Sequence, residues 1–112
     1  MKNINSLKNT AEFRQVYEGG KSFANRLLVV YVLKKDGPLR IGISVSKKVG
    51  NSVGRHRVTR LIRESFLSVK HELPDNLWIV VVARPFCGGK TENEVEKALR
   101  HALMHHKVLK NG

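Results

Sequence analysis

Hydrophobic positions along the chain change period several times, and each change marks an element. Phe13, Val16 and Tyr17 fall at i, i+3 and i+4, the spacing of one helix face. Asn9 before them is a good N-cap, Glu12 stands three residues on, and Gly19-Gly20 follow, so the pattern predicts a short helix stopped by glycine. Lys21 to Asn25 is short and reads as an edge strand, whereas Leu27 to Leu33 is an apolar, β-branched run suited to a central strand. Lys34-Lys35-Asp36-Gly37-Pro38 has the residues of a turn.

From Leu39 the period becomes two. Leu39, Ile41, Ile43 and Val45 point one way, and Arg40, Gly42, Ser44 and Ser46 the other. One face of this strand is core; the other is small and polar, which leaves room for something to approach the sheet. Lys47-Lys48-Val49-Gly50-Asn51 reads as a loop, and a helix is predicted from about Ser52 to Val69. Pro74-Asp75-Asn76 breaks the chain, and Leu77 to Ala83 reads as a buried strand ended by Arg84-Pro85. Thr91 caps a last helix in which Val95, Ala98, Leu99, Ala102 and His106 share a face. The order is α-β-β-β-α-β-α, an α+β, two-layer sandwich with helices on a small mixed sheet. A chain of 112 residues suits one domain, spanning residues 1–112.

Charge changes the picture from a fold to a partner. The chain carries 21 Lys/Arg against 9 Asp/Glu, a formal charge of +12, which a polyanion explains most simply. Composition alone leaves DNA, RNA and an anionic membrane open. No apolar run exceeds the length of Leu27 to Leu33, which is far shorter than the ~18–20 residues of a membrane-spanning helix. Met1 to Ser6 lacks the apolar stretch of a secretory signal, and the single cysteine, Cys87, suits a reducing cytoplasm. Cys87 reads as a packed thiol rather than a nucleophile, and zinc held by several cysteines is excluded by count.

The cations are not spread evenly. Between Gly37 and Arg63 there is no carboxylate, while Arg40, Lys47, Lys48, Arg55, Arg57, Arg60 and Arg63 supply seven positive charges. On a helical wheel centred on Val58, Leu61, Ile62, Ser65, Phe66 and Val69 lie within about 80° and form the buried stripe. His56, Arg57, Arg60 and Arg63 lie between about 140° and 260°, on the opposite face. Arg55 falls near ~60°, at the margin of the stripe, and should point sideways toward the sheet edge or a groove. An ordinary solvated face mixes signs in i, i+4 pairs; here the first counter-charge is Glu64. Arginine's planar fork suits bidentate phosphate recognition, and the helix start near Asn51 and Ser52 offers further N–H donors. Seven phosphate contacts would give a log–log salt slope of roughly −5 to −6.

Four of the seven Phe/Tyr/Trp residues crowd into the first 31 positions, as Phe13, Tyr17, Phe23 and Tyr31. They can be core, or Tyr17 and Tyr31 can line a groove that stacks unpaired bases. Catalytic patterns are weak: no carboxylate pair falls in the basic region, and no phosphate-binding glycine loop is present. His101 and His105 have the i, i+4 spacing of a metal pair but no obvious third ligand.

The stretch Ile43-Ser-Val-Ser-Lys-Lys-Val-Gly-Asn51, followed by Ser52-Val-Gly-Arg-His-Arg-Val-Thr-Arg-Leu-Ile-Arg-Glu64, resembles the signature of the bacterial ribonuclease P protein subunit. That pattern runs S-K-K-x-G-N-A-V-x-R-N-R-x-x-R-x-x-R-E. Asn9-x-x-x-Phe13, Ser22-Phe-Ala-Asn-Arg26 and Ile79-Val-Val-Val-Ala-Arg-Pro85 extend the resemblance along nearly the whole chain, in order.

The resemblance implies a left-handed βαβ crossover through the basic helix. It also implies a cytoplasmic accessory subunit, one copy per holoenzyme and without a membrane partner, of an endonuclease that removes the 5′ leader from precursor tRNA. Its partners would be the catalytic RNA and the precursor tRNA; the RNA would carry the hydrolysis and require Mg2+, with no catalytic residue, metal or cofactor assigned to the protein. Carried over by position, Lys47, Lys48, Asn51, Arg55, His56, Arg57, Arg60 and Arg63 would bind RNA. Phe13, Tyr17, Arg26, Tyr31 and Ser44 would belong to the leader cleft, with Gly42 facing it.

Three positions depart from the pattern. His56 replaces the motif asparagine, exchanging an amide for a titratable ring; Gly54 stands in the first helical turn; Thr59 replaces a commonly basic residue. The alternative reading is a ribosomal or chaperone-like RNA-binding module that supports no cleavage. A stand-alone nuclease is poorly supported for want of metal-binding carboxylates.

Overall fold

The computed structural model describes residues 5–110; Met1–Ile4, part of the polar start noted above, and the last two residues lie outside the described residues. Helix α1 spans Thr10–Gly19, with the Asn9 side chain accepting from the Glu12 amide at 3.0 Å. It ends where the chain must pass close to a strand. A Cβ on Gly20 would lie 2.7 Å from the Val16 carbonyl oxygen and 2.8 Å from that of Val32.

Strands β1 (Lys21–Ala24), β2 (Leu28–Lys34), β3 (Arg40–Val45) and β4 (Leu77–Ala83) form one sheet in the order β1-β2-β4-β3. β1 is an edge strand, as expected, and pairs antiparallel with β2, which pairs antiparallel with β4. β3 and β4 are parallel, so the helix between them, α2 (Ser52–Val69), is the crossover. β4 lies between two partners with every side chain buried except half-buried Val82, which explains its unbroken apolar sequence Leu-Trp-Ile-Val-Val-Val-Ala. The β3 edge is covered in turn by the N-terminal segment: Leu7 N donates to Ile41 O and Ile41 N to Asn5 O, both at 2.9 Å.

One face of the sheet carries Leu28, Val30, Ile41, Ile79 and Val81 into a core with α2 and α3 (Glu92–His106). From α2 this core receives Val58, Ile62, Phe66 and Val69, the predicted stripe. Ser65, the stripe's polar member, is buried with its hydroxyl donating to Leu61 O at 2.8 Å. From α3 it receives Val95, Leu99 and Ala102 as expected, and Leu103 in addition. His106 is half-buried, with Nε2 2.8 Å from Val30 O. Trp78 and Val80 point to the other face, where Leu7 and Val16 close a smaller cluster. Helix α1 therefore covers part of the second face, and the remainder is left open. Among the described residues no helix is long and apolar enough to cross a membrane.

Candidate nucleic-acid interface

The basic segment is held in place by short polar caps. Ser46 accepts from Lys48 N at the start of a single 3-10 turn, Lys47–Val49, and Asn51 Oδ1 accepts from Gly54 N at 2.9 Å to begin α2. Asn51 is thus a helix cap whatever else it touches. His56, Arg57, Arg60 and Arg63 are exposed, as the wheel requires, and so are Lys47 and Lys48. Among the described residues, Lys47, Lys48, Arg60 and Arg63 make no ion pair. Arg55 is half-buried and turns back, its Nη1 donating to Gly50 O at 3.3 Å. Arg57 Nη2 donates to Lys90 O at 2.8 Å, which ties α2 to the loop before α3.

One of the seven cations does not belong to this surface. Arg40 is paired with Glu12 through Nη1–Oε2 at 2.9 Å and Nη2–Oε1 at 3.0 Å, and its Nη2 also donates to Ser6 O at 2.8 Å. Its guanidinium lies 4.9 Å from the Trp78 ring centroid. The hydrogen bond from Arg40, above all, holds the Glu12 carboxyl below the usual carboxylate range. The sequence reading of an uncompensated Arg40 is therefore corrected: its counter-charge lies 28 positions away on α1. Six cations remain in the segment.

The aromatic residues stand together on the second sheet face. Tyr17 meets Tyr31 edge-on with centroids 4.9 Å apart, and Phe13 lies 6.4 Å from Tyr17. Tyr17 is 40% exposed. Gly42 was expected to face an open cleft, but it is buried: a Cβ there would meet Phe13 ring carbons at 2.6 and 2.7 Å. What the small residue admits is the Phe13 ring. Open floor begins one step further along the strands. Ala24, Val29, Val82 and Ser44 are register partners across all four strands, Ala24 exposed and the others half-buried.

A cavity of about 160 Å³ joins the two surfaces, with Phe13, Gly42 and Ile43 on one side and Thr59 and Arg63 of α2 on the other. The structure thus brings Phe13, Tyr17, Tyr31 and Ser44 to one face, where Phe13 shares a cavity with Thr59 and Arg63 of the basic helix. Arg26 sits apart, on the β1–β2 turn, with its guanidinium 5.0 Å from the Phe86 ring centroid. Its neighbour Asn25 braces that turn, since Nδ2 donates to Ala98 O at 2.8 Å and Oδ1 accepts from Leu27 N and Leu28 N.

Phe86, 56% exposed, is a residue that the sequence reading does not single out; its signal is an aromatic residue directly after Arg84-Pro85, in a stretch without carboxylates. His101 and His105 do not converge on a vacant point but flank Phe23, at 5.4 and 3.8 Å between centroids. Among the described residues no group of three His, Cys, Asp or Glu could hold a metal ion. Cys87 is buried, and that burial pushes its thiol up.

The arrangement offers an arginine fork for phosphates, an aromatic wall for bases and a floor of small side chains between them. Known proteins resemble this chain over nearly its whole length. The chain matches the ribonuclease P family over residues 1–107. It is 50% identical over 108 residues to the ribonuclease P protein component of Lachnoclostridium phytofermentans, covering 96% of this chain and 93% of that one. It is 43% identical to that of Alkaliphilus metalliredigens, covering 97% and 99%. The solved Staphylococcus aureus RNase P protein superposes with a TM-score of 0.86 at 37% identity, covering 96% of this chain and 99% of that one. Through these residues and this fold, the chain belongs to the ribonuclease P protein family.

Proposed function

We propose that this chain is the protein subunit of a ribonuclease P holoenzyme that binds a catalytic RNA and the 5′ leader of precursor tRNA. It thereby supports endonucleolytic removal of the leader. The observation that carries this reading is the junction at Thr59 and Arg63, where the cationic face of α2 meets the aromatic wall of the sheet. A protein that only clamps duplex phosphates has no use for an exposed aromatic face that reaches its basic helix through Phe13; an unpaired strand leaving a structured RNA uses both.

In this reading Lys47, Lys48, Arg55, Arg57, Arg60 and Arg63 neutralise phosphates of the RNA, with Arg55 also bracing the loop at Gly50 through its Nη1. Asn51 and His56 present polar groups at the helix start. Tyr17 and Tyr31 stack leader bases over the floor formed by Val29, Val82 and Ser44, with Phe13 as the wall. Bond cleavage belongs to the RNA and its Mg2+, which supplies the Lewis acid and the activated water.

The test is reconstitution. The purified protein should not cut precursor tRNA at the mature 5′ end, and adding a bacterial-type catalytic RNA should give that cut at lower Mg2+ than the RNA needs alone. Correct 5′ cleavage by the protein without RNA, or no effect of the protein on the RNA reaction, overturns the reading.

A further inference from the structure

Arg26 and Phe86 come from turns 60 positions apart, yet they form a cation–π pair at the end of the sheet where the open floor runs out. A single exposed phenylalanine needs no explanation. Three features set this one apart. It is held rigidly: Pro85–Cys87 is a 3-10 turn, Cys87 beneath it is fully buried, and the next residue, Gly88, packs so tightly that a Cβ would lie 2.8 Å from Val49 O.

It is also bracketed by two arginines that brace the neighbouring turns. On one side Arg84 Nη1 donates to Asn25 O at 2.8 Å, fixing the turn that carries Arg26; on the other Arg57 of α2 donates to Lys90 O. Finally, its own loop carries no counter-charge. Residues 84–90 contain no carboxylate, Arg26 makes no ion pair among the described residues, and Lys47 and Lys48 stand in the turn that packs against this one.

We propose that Phe86 and Arg26 form a nucleotide subsite separate from the Tyr17–Tyr31 pair: the ring stacks one unpaired base, and the guanidinium binds its phosphate. The proposal rests on the RNA-binding reading above. At ~3.3 Å per strand residue, the four residues from Tyr31 to Leu27 place the subsite about 13 Å from the tyrosines. The base it holds is therefore not one that the tyrosines stack. The nucleotide can come from the leader or from an unpaired segment of the catalytic RNA; the recognition chemistry is the same.

Phe86→Ala and Phe86→Trp separate these sources. Binding is measured in the reconstituted holoenzyme for precursors whose leaders lengthen from zero, and separately for protein with the catalytic RNA alone. If the nucleotide is the leader's, Phe86→Ala should weaken precursor binding about fivefold once the leader passes a threshold length, with no change for shorter leaders. If it belongs to the catalytic RNA, the same loss appears in RNA binding and is independent of leader length. Phe86→Trp should restore affinity in either case, and Arg26→Ala should reproduce the loss. A folded Phe86→Ala protein with wild-type affinity in both measurements overturns the subsite and leaves the broader reading intact. Failure of the wild-type protein to support cleavage overturns both.

Discussion

The Phe13 ring stands directly on Gly42, filling the space that any larger residue on β3 would need. Gly42→Ala puts a methyl group within 2.7 Å of the ring and about 3.1 Å from Leu7, so the ring must move. Overpacking of this kind costs ~1–3 kcal/mol. The expected outcome is a lower melting temperature together with a larger loss of affinity for precursor than for mature tRNA, because the moved ring is the wall of the proposed leader cleft. Phe13→Leu in the Gly42→Ala background should recover part of the stability but not the leader preference.

Replacing Tyr17 and Tyr31 by Ala removes the proposed stacking surface and leaves the arginine face of α2 in place. At ~1–3 kcal/mol per stacked base, precursor affinity should fall at least tenfold while mature tRNA affinity changes little. Equal losses for the two substrates would favour a general RNA-binding module. Filter binding or fluorescence titration in the holoenzyme reads the difference.

Pairing of Arg40 with Glu12 lowers the count of cations available to phosphate. Six contacts predict a log–log salt slope of roughly −4 to −5 for RNA binding. Arg60→Gln or Arg63→Gln should each make the slope shallower by about 1. Arg40→Gln should leave the slope unchanged and lower the melting temperature instead, since it strands Glu12 and frees the Ser6 carbonyl. A salt slope that responds to Arg40→Gln as it does to Arg60→Gln would place Arg40 on the RNA surface after all.

His106 sets a pH dependence of stability. Burial, chiefly, moves its pKa below the ordinary 6.5, and the nearby His105 and Lys21 act in the same direction against a partial restoring hydrogen bond to Val30 O. With the folded pKa below the unfolded one, the unfolded chain binds more protons, so stability rises with pH through this window. The contribution is complete above about pH 6.5 and is lost as pH falls through the folded value. Chemical denaturation from pH 7.5 to 5 should show a decline that His106→Gln flattens. Glu12, Glu72 and Glu94, all held below their ordinary 4.5, add a second loss in stronger acid.

Gly54 carries a cost without a structural return. A Cβ at this position would sit 3.4 Å from Asn51 Oδ1, an ordinary contact, and the backbone is helical. Gly54→Ala should stabilise the protein by ~0.5–1 kcal/mol, visible as a higher melting temperature, with RNA affinity unchanged. A drop in affinity would mean that RNA passes directly over this turn.

Local chemistry made much of the fold legible in advance. The ends of α2 at Ser52 and Val69, the strand Leu77–Ala83, and the caps at Asn9 and Thr91 follow from periodicity and short-range hydrogen bonds within a few residues of each other. The sideways turn of Arg55 and the exposed arginine face beside it were legible for the same reason, since a helix fixes the relative directions of its own side chains.

Sequence by itself determined the elements, their order, the buried stripe of each helix and the location of the excess charge, because those depend on neighbours along the chain. Tertiary structure alone decided which cations are free and which small residues are open. Arg40 meets Glu12 and Phe13 meets Gly42 only once α1 crosses the second sheet face over β3, and Arg26 meets Phe86 only once β2 and β4 pair antiparallel. Such contacts join positions 28 to 60 residues apart. No periodicity encodes them, because they arise from strand register and the packing of one side chain into the space another leaves empty.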